Sequence, residues 1–153
     1  MTSPTITQYL TRQGAAYDVL AHEPTQSSTR TAQACHVSGD RFAKAVVLHD
    51  GGGYLLAVLP ASHHLRLTEL EGNASLRMAS EDEIGRLFPD CARGAVPPIG
   101  AAYGLKTIVD DSIAAMPEVY FEGGDHATLV HMSGAAFSRL LADAPHARIS
   151  THD

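Results

Sequence analysis

The order of elements predicts an α+β fold: a mixed sheet or small barrel with helices interspersed. Two patterns carry that reading. Apolar strands at 42–48 and 54–59 join through the turn Asp50-Gly51-Gly52-Gly53, and a later strand pair joins through Glu122-Gly123-Gly124-Asp125-His126. Between the pairs stand short helical segments opened by Ser or Asp caps. At 153 residues the chain fits one domain, expected over 1–153 with its core at about 16–142, and is long enough to bury a proper interior.

Taken in order, Thr5 to Gln13 reads as a short helix, with Ile6, Tyr9 and Leu10 at helical spacing and Gly14 as its stop. Tyr17 to Ala21 alternates as a strand and ends at His22-Glu23-Pro24. Ser28 starts a second helix to about Cys35, and Ser38-Gly39-Asp40 makes a turn. After the first hairpin, ended by Pro60, His63 to Leu70 is expected to be helical and to close at Gly72. Ser75 to Met78 is a short strand. Ser80 and Glu83 form a capping box for a helix that turns Ile84, Leu87 and Phe88 inward and stops at Pro89. Leu105 to Val109 is a strand, and Asp110-Asp111-Ser112 opens a brief helical turn. Val119 to Phe121 and Thr128 to Met132 pair, and Ser133 caps a helix that buries Phe137, Leu140 and Leu141. The tail from Pro145 is expected to fray.

Composition excludes several classes of function. A net charge of −6 argues against tight, nonspecific binding along a nucleic-acid backbone, which draws on many Lys and Arg contacts; no DNA partner is expected. A partner touched at one end only stays open. No apolar run approaches a membrane span, and Met-Thr-Ser-Pro-Thr-Ile-Thr has neither a basic start nor an apolar core, so a cytoplasmic setting is the default. Cys35 and Cys91 have no metal or disulfide spacing.

Two features invite chemistry. The first is the loop Arg93-Gly94-Ala95-Val96-Pro97-Pro98-Ile99-Gly100, where two prolines fix the backbone between two glycines. The N–H groups of Ile99 and Gly100 could then point at a carbonyl or oxyanion from a turn that cannot relax away. The second is Lys44, one of only two lysines. Alternation places it with Phe42, Val46 and Leu48, while Ala43, Ala45, Val47 and His49 take the other face. A buried ammonium is costly unless compensated, so either its stem snorkels to a sheet edge or its head lines a pocket for a polar or anionic group.

Lys44 on an apolar strand, the spacing Gly94-x-x-x-Pro98-x-Gly100, and Phe121…His126-Ala127-Thr128…Ser133 together resemble the YbaK/EbsC family. That family includes the editing insertion of bacterial prolyl-tRNA synthetase and free-standing relatives that hydrolyse mischarged tRNA. The resemblance runs from about His22 to Leu141. It implies a mixed, barrel-like β-sheet flanked by helices, and an aminoacyl-tRNA deacylase that uses no metal and no cofactor. It also implies that Lys44 helps to place the terminal adenosine and aminoacyl group, and that the 94–100 loop offers N–H groups to the ester carbonyl. Water activation then falls to the substrate's own ribose hydroxyl and backbone groups. Gly94, Pro98, His22, Ala45, His126, Asp125 and Ser133 are the positions expected around the substrate. The implied substrate is tRNA(Pro) carrying Ala, Cys, Ser or Thr, with a synthetase as a further partner. Ala45, Ile99 and His126 depart from residues common in relatives, so the amino acid removed does not transfer.

Other constellations carry less. His63 and His64 are adjacent, and His126 and His131 fall on opposite faces of a strand, so no metal site is expected. Cys91 lacks an adjacent base for a thiolate role. Asp125-His126 is either a general-base pair or a plain hairpin turn. Arg30, Arg41, Arg66, Arg77, His63 and His64 could touch acceptor-stem phosphates, although solubility suffices to explain most of them. Two alternatives to the deacylase remain: a non-enzymatic module for tRNA ends or nucleotides, and a small-ester or thioester hydrolase using the same loop.

Overall fold

The computed structural model describes residues 2–23, 28–67, 70 and 76–153. In chain order its elements are α1 (Pro4–Arg12), β1 (Asp18–Ala21), α2 (Ser28–Ala34), β2 (Ala43–His49), β3 (Tyr54–Pro60), β4 (His63–Leu65), β5 (Arg77–Met78), α3 (Glu81–Leu87), β6 (Lys106–Asp110), β7 (Glu118–Glu122), β8 (Thr128–Ser133), α4 (Gly134–Leu140), β9 (His146–Ala147) and β10 (Ser150–His152). Short 3₁₀ turns at Gly39–Arg41, Gly100–Tyr103 and Asp111–Ala115 link them.

The β2–β3 hairpin forms because Asp50 Oδ1 accepts from the N–H groups of Gly52 and Gly53 at 3.1 and 2.8 Å, satisfying the turn locally. It pairs antiparallel from Ala43 opposite Pro60 to His49 opposite Tyr54. β6 joins β3 in parallel, β9 joins β6 in parallel, and β5 lies on the outer edge of β2, giving a five-stranded mixed sheet. A second, antiparallel sheet has the order β1-β8-β7. A parallel bridge between Phe42 and Tyr120 ties the two sheets together beside β2. The fold is thus α+β with a mixed sheet flanked by helices, as the element order predicts.

The main core is shared between the sheets. Ala43, Val47, Leu56, Val58 and Val109 of the large sheet pack with Ile99, Phe121, Val130 and Phe137. α1 contributes Ile6 and Leu10, so the core begins well before residue 16. The capping box is present: Ser80 Oγ accepts from Glu83 N at 3.2 Å, and Glu83 Oε1 accepts from Ser80 N at 2.9 Å. Phe88, just past α3, is fully buried, while Ile84 and Leu87 are partly buried against the same cluster.

Two expectations are corrected. His63–Leu65 is a strand, antiparallel to Ser150–His152, not the start of a helix; the closure expected at Gly72 lies outside the described residues. The tail does not fray. β9 joins the large sheet beside β6, β10 pairs with β4 as a separate two-stranded sheet, Ile149 is fully buried, and Asp110 Oδ1 accepts from Ile149 N and Ser150 N at 2.9 and 3.0 Å. One apolar side chain and a buried carboxylate hold a segment whose own composition is polar. No described helix is long and apolar enough to cross a membrane.

Candidate functional site

The Gly/Pro loop is as rigid as its residues demand. Gly94 has φ +74, a conformation open to glycine, and Ala95, Pro97, Pro98, Ile99 and Gly100 are all buried. A Cβ on Gly100 would stand 2.1 Å from Thr107 Oγ1 and 3.0 Å from the Leu105 carbonyl, so only glycine fits there. Gly100 also opens the 3₁₀ turn, whose first N–H groups have no acceptor within the turn. The loop's outer side and α3 enclose a cleft of about 530 Å³, lined among others by Ile84, Phe88, Cys91, Arg93, Gly94 and Val96.

Lys44 stands elsewhere. On β2 its neighbours Ala43 and Val47 belong to the cluster that holds Ile99, whereas Phe42 and Leu48, on its own side, belong to two other clusters. Lys44 and Ile99 therefore lie on opposite faces of the strand, although the resemblance gives the lysine and the loop roles on the same aminoacyl group. It is Ala45, packed partly buried on the main core and opposite Val58, that shares the loop's face. The ammonium of Lys44 donates to the carbonyl of His63 at 2.9 Å. Burial pushes its pKa down, and the negative charge of Asp153 partly offsets this.

The loop instead meets His126. Asp125 Oδ1 accepts from Ala127 N (2.9 Å), Thr128 N (2.9 Å) and Thr128 Oγ1 (2.7 Å), so this carboxylate holds its own turn together. That turn holds His126 at φ +60 and leaves the residue 9% exposed. The ring's Nε2–H donates to the Arg93 carbonyl at the head of the loop. Its Nδ1 has no hydrogen-bond partner among the described residues.

Nδ1 of His126 lies 3.8 Å from Oε1 of Glu122, which is 1% exposed with neither oxygen hydrogen-bonded among the described residues. Burial raises the Glu122 pKa, against the opposing pull of the Thr31 hydroxyl and of His126 and His22. His22 is brought to the same turn by its N–H bond to the Ala127 carbonyl at 2.8 Å. Its Nδ1–H donates to the Glu23 carbonyl at 2.7 Å, leaving Nε2 buried and bare. Two ring nitrogens without a hydrogen-bond partner among the described residues thus converge on a buried carboxylate that also has the Thr31 hydroxyl beside it. Sequence reading placed His22 and His126 here but missed Glu122; a carboxylate closing the apolar strand Val119-Tyr120-Phe121 was the available signal.

The remaining candidates have structural roles. Ser133 caps α4 by accepting from Ala136 N at 3.1 Å and is exposed. Burial pushes the Cys91 thiol up to about 11, with Tyr103 Oη 3.2 Å from its sulfur, which rules out a thiolate at neutral pH. Among the described residues, Asp40, His63 and His152 bring three metal-ligand atoms within 4.8 Å of one another.

A mixed α+β domain carrying a stiff Gly/Pro loop beside a buried cluster of one carboxylate and two imidazoles is the class that fold and site define. The chain belongs to the aminoacyl-tRNA editing domain family, whose profile matches residues 22–140, in agreement with the YbaK/EbsC resemblance. It is 30% identical over 107 residues to the proline–tRNA ligase of Thiobacillus denitrificans, covering 67% of this chain and 18% of that enzyme. It is 31% identical over 105 residues to that of Methylobacillus flagellatus, covering 65% and 18%. The chain thus spans less than a fifth of these curated relatives. Its fold matches hypothetical protein APE2540 with a TM-score of 0.82 at 23% identity, covering 96% of this chain and 99% of that one. It also matches a candidate trans-editing enzyme for prolyl tRNA synthetase, with a TM-score of 0.80 at 24% identity and 99% coverage of both.

Proposed function

We propose that the chain is a trans-editing aminoacyl-tRNA deacylase that hydrolyses the ester of mischarged tRNA, with tRNA(Pro) bearing Ala, Cys, Ser or Thr as its substrate. One observation carries this reading: the buried cluster of Glu122, His126 and His22, with polar atoms that have no hydrogen-bond partner among the described residues, adjoins the Gly/Pro loop through the His126–Arg93 bond. A primary ammonium, with three N–H donors and one positive charge, complements a buried carboxylate beside imidazole nitrogens that have no partner among the described residues. An aminoacyl ester presents that group one carbon from its carbonyl, and the N–H groups of the loop are the donors proposed for that carbonyl. An oxyanion donor of this kind contributes roughly 10²–10³ in rate, and an activated ester needs little beyond positioning. The substrate's ribose hydroxyl serves to direct the water. Lys44, on the other face of β2, serves the terminal nucleotide's phosphate as it passes the strand's edge.

The test is a panel of mischarged tRNAs incubated with wild type, Lys44→Ala and Glu122→Gln. Wild type is expected to deacylate at least one member, and both variants to lose most of that rate while remaining folded. A panel that stays charged under excess protein, extended beyond tRNA(Pro), overturns the proposal. The separation of Lys44 from the loop favours a second reading, a module that binds tRNA ends without cleaving them. Saturable tRNA binding with no hydrolysis selects it.

A further inference from the structure

We infer that Asp40, His63 and His152 form a binding site for one divalent transition-metal ion of the zinc class, which clasps β10 to β4 and to the turn at Gly39–Arg41. The site is independent of the ester-hydrolysis reading and uses none of its residues.

The backbone builds the site. His63 and His152 stand directly opposite each other in the antiparallel β4–β10 ladder, and their rings meet edge-on with centroids 5.2 Å apart. Ser62 N donates to Gly39 O at 3.3 Å and Asp153 N to Ser62 O at 2.9 Å, so all three ligand segments are tied to one another by main chain. The three ligand atoms lie within 4.8 Å of one another, and Asp40 Oδ1 is already 2.9 Å from His152 Nε2. Tetrahedral zinc with bonds of about 2.0–2.1 Å sets its ligands about 3.3 Å apart, a contraction that side-chain rotation supplies.

Each ligand also has the outer partner that metal-binding side chains use to fix their orientation. His152 Nδ1–H donates to the Asp153 carbonyl at 2.8 Å, which directs Nε2 to the site. His63 Nδ1 pairs with Ser150 Oγ at 2.8 Å, leaving its Nε2 as the free nitrogen. The Ser62 hydroxyl donates to Asp40 Oδ1 at 2.5 Å and steadies the carboxylate. Two imidazoles and one carboxylate suit zinc or cobalt better than magnesium or calcium. On binding, the Nε2 proton of His152 passes to solvent and the ion replaces it between ring and carboxylate. Three protein ligands leave a coordination position for water.

The test is calorimetric titration of Zn²⁺ into the metal-stripped full chain, with Co²⁺ absorption as a second readout. Wild type is expected to take up one ion per chain, to rise in Tm with Zn²⁺, and to give visible Co²⁺ bands. His152→Ala and Asp40→Asn should each weaken binding at least tenfold and abolish the bands, while His64→Ala leaves both unchanged. Far-UV circular dichroism checks that the variants fold; His152 and Asp40 are exposed, and neither supports the core. Absence of saturable uptake, or uptake that His152→Ala and Asp40→Asn leave untouched, overturns the site.

Discussion

Lys44 donates its ammonium hydrogen bond to the carbonyl of His63 at 2.9 Å, so the lone cation of β2 is anchored on β4. A half-buried lysine whose pKa is lowered by desolvation costs the fold free energy at every pH below its unfolded value. Lys44→Met is therefore expected to keep or raise Tm at neutral pH, while deacylation falls at least tenfold. A large drop in Tm on thermal melting would mark the lysine as structural.

Glu122 shows the same opposition more sharply. Its folded pKa is raised above the unfolded one, so its contribution is fully present at low pH and is lost as pH rises from the unfolded value through the folded one. Glu122→Gln should remove that loss, raising Tm at pH 7 relative to wild type and flattening the melting profile above pH 5. Deacylation should drop together with the gain in stability. Melts across pH 4–8 beside the tRNA assay check both.

Gly100 and Thr107 are coupled through space. Gly100→Ala drives a Cβ to 2.1 Å from Thr107 Oγ1, and overpacking of this kind costs about 1–3 kcal/mol. Adding Thr107→Ala should recover part of the loss, a positive coupling in a double-mutant cycle of melts. Gly134→Ala has no such remedy, because its Cβ would stand 1.8 Å from the Met116 carbonyl oxygen, a main-chain atom that no side-chain substitution removes. It should give insoluble or unfolded protein.

Asp90 pins the first helix. Burial works against its charge, but hydrogen bonds from Ser3 Oγ (2.7 Å), Thr5 N (3.0 Å) and Tyr103 Oη (2.8 Å) outweigh it and hold the carboxyl well below the usual range. The stabilisation is present above the unfolded pKa and is lost as pH falls through the folded one. Asp90→Asn should lower Tm by several degrees at pH 7 and by progressively less in acid. Amide exchange should quicken in residues 4–12.

Local signals were legible where the interaction that decides the structure is itself local. The Ser80–Glu83 box, the Ser133 cap and the Asp110 cap each lie within three residues of the N–H they satisfy, and the structure has all three. The hairpin at Asp50–Gly53 was legible for the same reason. His63–Leu65 was not, because its strand character comes from partners 85 or more residues away, at Ser150–His152. The tail's order rests on Asp110 in the same way. In the site, residue types and loop stiffness were readable, but the relative facing of Lys44 and Ile99 was not. Alternation gives each residue's side of its own strand, whereas the path of the 94–100 loop decides which side it covers.

The pairing of β9 with β6 and β10 with β4 has a consequence for biogenesis. During synthesis, a nascent chain halted before His146 presents two bare strand edges, a template for adhesion to other chains. Sealing them requires the stretch from His146 to His152 to clear the ribosome, so neither edge closes before that stretch has emerged.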